Sequence, residues 1–236
     1  MNLLLLGPED LVAPGRARLG GRRCVHVREI HRAEVGDTLK VGLLDGGIGS
    51  ARVVRTDPEA LDLVLGELDQ PPPAKLPLTL VLALPRPKVL NRVLASATSL
   101  GVARIVLLNA WRVEKAYWKS PRLDVENLRQ QRLLGLEQAG DTVLPELVLA
   151  RLFRPFVEQA LPALAAGTRC LVAHPGAGTP CPRSLAEPVT LAIGPEGGWI
   201  EPEVESLRGA GFTPVEIGPR ILRTETALAA LVGRLY

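Results

Sequence analysis

Three consecutive prolines, Pro71-Pro72-Pro73, separate two stretches of this chain whose apolar residues follow different periods. A triple proline is stiff and extended, and neither a helix interior nor a central strand accepts it, so it marks a connector. Ahead of it the apolar residues alternate over 23–28, 38–43, 49–55 and 61–67. Val35-Gly36-Asp37 and Asp45-Gly46-Gly47 punctuate these segments as turns. That pattern predicts a small β-barrel over residues 1–70, with 71–74 as linker. A module of this size suits a binding role, or a structural cap on the second domain. Beyond the prolines the run 78–84 is continuously apolar, as a strand buried on both faces of a parallel sheet must be. Val89, Leu90, Val93, Leu94, Ala97 and Leu100 then recur at helical spacing up to Gly101, and 105–108 forms another strand. A strand, helix, strand unit places 75–236 in the α/β class. Further helices are expected over 124–139, with Leu128 and Leu136 buried, and within 152–164, where Pro155 and Pro162 limit the length. Further strands are expected at 169–173, 189–193 and 214–217.

Composition narrows the function classes. With 236 residues, 47% of them hydrophobic, the chain can bury a substantial core. No run approaches the roughly 18 uninterrupted apolar residues of a membrane span, and MNLLLLGPED is too short in its apolar part for a signal peptide, so a cytoplasmic protein is expected. Cys24, Cys170 and Cys181 lie far apart without a CxxC pair, which suggests neither a disulfide framework nor a zinc site. Net charge is only +3, but Arg16, Arg18, Arg22, Arg23, Arg28 and Arg32, with His26 and His31, face only Glu29 within 16–32. Such density would attract a phosphate backbone, or else forms a solvated basic face.

Two glycine-bearing loops near the end concentrate the chemistry. The strand at 189–193 opens onto Gly194-Pro195-Glu196-Gly197-Gly198, and the strand at 214–217 onto Gly218-Pro219-Arg220-Ile221-Leu222-Arg223-Thr224-Glu225-Thr226-Ala227. Loops at strand ends are where an α/β domain builds a ligand site. The first loop lacks the Lys-Ser/Thr ending of a P-loop and the spacing of a dinucleotide fingerprint. Its glycines would let backbone groups approach an adenine or ribose. Glu201-Pro202-Glu203 comes next as a helix start, so those acids are expected to cap rather than to catalyse.

GPEGGWIEPEVE followed by GFTPVEIGPRILRTETA closely resembles the C-terminal signature of the RsmE family, methyltransferases that modify N3 of a uridine in small-subunit ribosomal RNA. The resemblance extends to Val25-His26-Val27-Arg28-Glu29-Ile30, to Val35-Gly36-Asp37 with Asp45-Gly46, to Ser99-Leu100-Gly101-Val102 and to Leu136-Glu137-Gln138-Ala139-Gly140. It implies a SPOUT-type α/β domain with a parallel sheet and a deep trefoil knot over 75–236, preceded by a PUA-like RNA-binding barrel over 1–70. It also implies a homodimer acting on 16S ribosomal RNA of the small subunit, with S-adenosylmethionine as cofactor and no metal or membrane.

Carried over to this sequence, the resemblance puts Gly194, Glu196, Gly197 and Gly198 against the ribose and methionine side of the cofactor. Ile217, Gly218, Ile221 and Leu222 fall at the adenine cleft, and Leu171, Ala173 and His174 at a third wall. Arg223 and Glu196 are the catalytic candidates. Methylation at N3 of uracil requires loss of a proton and leaves an anion spread over O2 and O4, which a guanidinium stabilises and a carboxylate could orient. Arg223 could equally form a structural ion pair with Glu225. Arg16, Arg22, Arg23, Arg28, Arg32 and Arg112 are the expected RNA-binding residues.

Two departures bear on the target. Ala95-Ser96-Ala97-Thr98-Ser99-Leu100-Gly101 stands where the family usually has a KxxELG-like string, and Asp141 where a basic residue is common. The segment Trp111-Arg112-Val113-Glu114-Lys115-Ala116-Tyr117-Trp118-Lys119 could supply replacement contacts by stacking on unpaired bases, or could be a surface loop anchored by its two tryptophans. Action on another ribosomal or transfer RNA base, or RNA binding without turnover, are the alternative functions.

Overall fold

The computed structural model describes residues 2–236, which divide into two compact units. One holds the described residues up to Ala74 together with Leu136–Leu144; the other holds Lys75–Gly135 and Pro145–Tyr236.

In the first unit, β1 (Leu4–Leu6), β2 (Leu11–Ala13) and β3 (Arg16–Leu19) precede helix α1 (Gly21–His26), which runs into a π-helical turn, Val27–His31. The strands β4 (Thr38–Leu43), β5 (Ile48–Thr56) and β6 (Leu61–Leu65) come after it. They form one sheet in the order β1-β4-β5-β6-β3-β2, with the β1–β4 pair parallel and the others antiparallel. Along β5, Ala51 and Val53 are buried while Arg52 and Val54 are exposed, which is the two-residue period of a sheet with one wet face.

Residues 23–28 do not form the expected strand. They lie in α1 and the π-helical turn because the buried pair is Cys24 and Val27, three apart, with Val25 exposed between them. Two valines on one side of an alternating string mimicked a strand. The first unit also takes in Leu136–Leu144, a segment that the sequence places with the second domain. Glu137 is buried there, its carboxylate receiving Arg22 Nη2 at 2.7 and 2.8 Å, and Thr142 Oγ1 donates to the Gly46 carbonyl at 2.6 Å.

The second unit opens with β7 (Leu76–Ala83), α2 (Pro87–Ser99) and β8 (Val102–Leu108), then α3 (Val125–Ala139), whose residues from Leu136 on count with the first unit, β9 (Glu146–Ala150) and the short helical turns α4 (Phe153–Pro155) and α5 (Leu161–Leu164). It closes with β10 (Arg169–Ala173), β11 (Val189–Ile193), α6 (Glu201–Gly209), β12 (Thr213–Val215) and α7 (Thr224–Leu235). All six strands are parallel, in the order β12-β10-β11-β7-β8-β9. This is a mixed α/β fold on a parallel sheet. The five residues of β11 are all buried, as two covered faces require.

Proline at the first helical position starts α2, and Gly101, at φ +81°, lets the chain turn out of it into β8. Leu90, Val93, Leu94 and Ala97 are its buried face. The sheet places β11 beside β7, so the strand sequence changes direction there and the loops leaving β10, β11 and β12 share one edge. A crevice at the carboxyl ends of parallel strands is the expected outcome.

Candidate active site

The loop leaving β11 is built around its glycines. A Cβ on Gly194 would lie 3.1 Å from the Trp199 backbone nitrogen and 3.2 Å from its indole Nε1, so glycine gives Trp199 room to fold back against the strand end. The Gly198 amide closes a turn onto the Pro195 carbonyl at 2.8 Å with φ +74°, a backbone conformation that side chains disfavour. Glu196 Oε1 accepts from the Arg86 amide at 3.0 Å, which ties the loop to the start of α2.

The loop leaving β12 turns at Gly218 (φ +149°) and leads into α7 at Thr224. The loop leaving β10 begins with the His174 amide donating to Val215 at 3.0 Å. Farther along, the Glu216 amide donates to Thr179, and the Cys181 amide to Glu216.

These three loops enclose a cleft of about 330 Å³. Ala173, His174, Gly194, Glu196, Gly197, Gly198, Ile217, Gly218, Ile221 and Leu222 all line it, so the structure brings together every expected cofactor residue except Leu171. Leu171 is a correction: it is 1% exposed in the interior of β10, paired with Leu191 and Thr213, and belongs to the core. It lies two residues down the strand from the open edge.

Two polar side-chain atoms in the cleft walls are buried without a partner among the described residues, His174 Nδ1 and Trp199 Nε1. A buried polar atom without a hydrogen bond is costly, and at a cleft its natural partner is a ligand. Ile193, Ile217, Leu222 and Leu231 supply apolar wall, so the cleft offers an apolar surface with a few converging polar groups. Among the described residues no group of three or more His, Cys, Asp or Glu could hold a metal ion.

Arg112, one of the residues expected to meet RNA, reaches this cleft and donates through Nη1 to the Gly197 carbonyl. A Cβ on Gly197 would stand 2.9 Å from Arg112 Cδ, so the second glycine of the loop makes room for the arginine. The segment carrying Arg112 is held from behind by Glu203. That carboxyl is 5% exposed; its Oε1 accepts from the Trp111 amide at 2.7 Å and its Oε2 from the Ile200 amide at 3.1 Å. Glu203 is thus a helix-start residue, as its position implied, and also a tether across to Trp111.

The catalytic candidates separate. Glu196 lines the cleft; Arg223 is exposed, occupies the position just before α7 and does not line it. The alternative pairing of Arg223 with Glu225 is not formed, because Glu225 Oε1 faces Arg92 Nη2 at 3.4 Å.

Of the RNA-binding candidates in the first unit, Arg22 is tied to Glu137, and Arg23 is bound by Asp10 at 2.7 Å through both nitrogens and by the Leu5 carbonyl. Arg18 likewise pairs with Asp62 at 2.6 and 3.0 Å. The fold therefore neutralises much of the apparent basic patch with acids remote in sequence. Arg16 and Arg32 are exposed, and Arg28 approaches Glu29 at 3.8 Å.

Sequence reasoning missed Trp199, Arg220, Thr224, Ala227 and Leu231 as lining residues. Trp199 could have been found, since it adjoins the glycine loop directly. The face of α7 that supplies Ala227 and Leu231 had no local signal.

A family described as an RNA methyltransferase domain matches residues 72–236. A relative from Treponema pallidum, ribosomal RNA small subunit methyltransferase E, is 33% identical over 98% of this chain and 88% of its own length. One of the same name from Synechocystis is 29% identical over 98% of this chain and 76% of its own. Among solved structures, a ribosomal RNA small subunit methyltransferase E from Neisseria gonorrhoeae, bound to S-adenosylmethionine, shares the fold with a TM-score of 0.76 at 22% identity, covering 98% of this chain and 95% of that one. A Legionella pneumophila protein named as a methyltransferase, in complex with S-adenosylmethionine, gives 0.73 at 26% identity, covering 98% and 94%. Similarity to the Treponema relative over nearly all of this chain, together with the family match over residues 72–236, makes this chain a member of the small-subunit ribosomal RNA methyltransferase E family.

Proposed function

We propose that this protein transfers a methyl group from S-adenosylmethionine to N3 of a uridine in 16S ribosomal RNA of the small subunit, acting in the cytoplasm as a homodimer. The observation that carries this reading is the cleft at the ends of β10, β11 and β12, where the glycine loop and 217–222 converge on the orphaned His174 Nδ1 and Trp199 Nε1. Its size and its mainly apolar walls suit a bent nucleoside.

The donor would be held by the backbone of Gly194–Gly198 on its ribose and methionine side and by Ile217, Gly218, Ile221 and Leu222 around its adenine. His174 Nδ1 and Trp199 Nε1 are the side-chain atoms left to hydrogen-bond it. When bound, S-adenosylmethionine supplies a methyl group already activated by its sulfonium. The chain itself aligns the acceptor, excludes water with Ile193, Ile217, Leu222 and Leu231, and meets the charge that develops on the uracil. Arg223, directly after cleft-lining Leu222, is proposed as the cation for the N3-deprotonated ring. Glu196, fixed by the Arg86 amide, is proposed to orient the base.

The second unit is proposed to be a SPOUT-type knotted domain. In support, the Ser184 and Leu185 amides bond to the carbonyls of Arg234 and Leu235, and Arg234 Nε donates to Cys181 at 2.6 Å, so the loop after β10 straps the segment that carries α7. The first unit is proposed to be a PUA-like RNA-binding barrel, supported by its six-stranded sheet and by the exposed Arg16 and Arg32. No helix among the described residues is long and apolar enough to cross a membrane.

The test is transfer of labelled methyl from S-adenosylmethionine to unmodified small ribosomal subunits, naked ribosomal RNA and transfer RNA, with nucleoside analysis of the products. N3-methyluridine confined to small-subunit RNA is expected. A different methylated base, or label only in transfer RNA, would overturn the assignment of target.

A further inference from the structure

The structure separates the two tryptophans of the 111–119 segment. Trp118 is an anchor: its Nε1 donates to Asn109 Oδ1 at 2.8 Å, Arg151 lies 5.1 Å above its ring, and it packs on the core. Tyr117 packs beside it, with its hydroxyl 2.8 Å from Glu114 Oε1. Trp111 does the opposite and leaves 79% of its surface in water. An indole that exposed gains nothing for folding, and no apolar patch surrounds it in its own segment, where Arg112, Glu114 and Lys115 are also exposed.

Yet its backbone is held firmly. Buried Glu203 receives the Trp111 amide at 2.7 Å, and the next residue, Arg112, is locked onto the Gly197 carbonyl at the rim of the cleft. A solvent-facing aromatic on an anchored backbone, joined to a guanidinium at the cleft rim, has the chemistry of a platform for an unpaired base, with a cation at hand for its phosphate.

We propose that Trp111 is a substrate-positioning residue that stacks on an unpaired nucleotide flanking the base to be methylated. This rests on the RNA methyltransferase reading of the cleft. RNA is favoured over a second copy of this chain because the exposed neighbours of Trp111 in its segment are mostly charged, whereas a stable protein interface has an apolar centre depleted of charge.

The full-length protein and the variants W111A and W111F would be compared in three measurements. These are steady-state methyl transfer to unmodified small ribosomal subunits, retention of naked small-subunit RNA on filters without methyl donor, and calorimetric binding of S-adenosylhomocysteine. Alanine removes a stacking interaction that corresponds to about 5- to 150-fold in affinity. W111A is therefore expected to raise KM for subunits and weaken RNA retention within that range, with kcat and S-adenosylhomocysteine affinity near wild type. W111F, which keeps an aromatic face, is expected to recover most of the loss.

An unchanged KM and RNA affinity in W111A, or a W111F as impaired as W111A, would overturn the proposal. So would a W111A whose oligomeric state by sedimentation changes together with its RNA affinity, since a second copy would then be what covers the indole. Wild-type protein that methylates none of the RNAs but loses RNA affinity on W111A would refute the catalytic reading and leave the stacking role standing.

Discussion

Replacing Glu203 with Gln tests whether one buried carboxylate joins the helix after the glycine loop to the segment that carries Arg112. Both of its oxygens are used, Oε1 by the Trp111 amide at 2.7 Å and Oε2 by the Ile200 amide at 3.1 Å, and the side chain is almost fully buried. Glutamine keeps one acceptor and turns an NH2 toward the other amide, so one charge-assisted bond is lost and a buried N–H is left unpaired. That loss is worth about 1.5–3 kcal/mol, and the favourable charge at the start of α6 goes with it. For a urea m-value of about 2 kcal/mol/M the unfolding midpoint should fall by about 1 M. One of the Trp111 and Ile200 amides, whichever faces the new NH2, should exchange with solvent faster than in wild type, since its acceptor is the one removed. Methyl transfer should fall more than S-adenosylhomocysteine affinity, because Arg112 and Trp111 lose their backing while the glycine loop keeps its own turn. An E203Q variant with a wild-type midpoint and unchanged exchange at both amides would refute the assignment of this carboxylate as a tether.

The same geometry gives three further expected outcomes. L171A should cost about 2–5 kcal/mol, as truncation of a buried leucine does, while S-adenosylhomocysteine affinity measured on the folded protein stays unchanged; a selective loss of affinity would return Leu171 to the cleft. G197A forces a methyl to within 2.9 Å of Arg112 Cδ and should break the Arg112 contact to the Gly197 carbonyl, weakening donor binding about tenfold, with R112A giving a similar loss; calorimetry on both variants checks this. In the first unit, the hydrogen bond from Arg18 and then its charge hold the Asp62 carboxyl below its ordinary range. The native state therefore binds fewer protons than the unfolded chain, so the contribution is complete above the unfolded value near 3.9 and is lost as pH falls through the lower native one. The stability gap between wild type and D62N, tracked by denaturant titration, should be constant from about pH 5 to 7 and narrow below about pH 4; a gap that widens on acidification would contradict it.

Much of the second unit could be read directly from the chain. The strands β7, β10 and β11 stand close to where the apolar runs placed them, because strands covered on both faces are mostly apolar, with Thr79 and Thr190 the buried polar residues of β7 and β11 and exposed Arg169 at the start of β10. The cleft was readable for a related reason. Its two glycine-bearing loops each adjoin a strand end, so local motif and site coincide, and parallel topology then carries all such ends to one edge. The edge strand β9 (Glu146–Ala150) was missed although Leu147–Ala150 is an apolar run after Pro145, because four apolar residues do not distinguish a strand from a stretch of loop and the edge position leaves them only partly covered.

By itself, then, the sequence determined the class of the second unit, the loops that line its cleft and the family to which the chain belongs, all of which rest on patterns within short windows. Only the tertiary structure decided the partners. It neutralised Arg18, Arg22 and Arg23 with Asp62, Glu137 and Asp10, turned 23–28 into helix around Cys24 and Val27, sank Leu171 into the core and left Trp111 in water while burying much of Trp118. Hydrophobic period reports which face of an element is covered, but ion pairs and orphaned donors depend on which residue arrives opposite, and that is set by long-range packing.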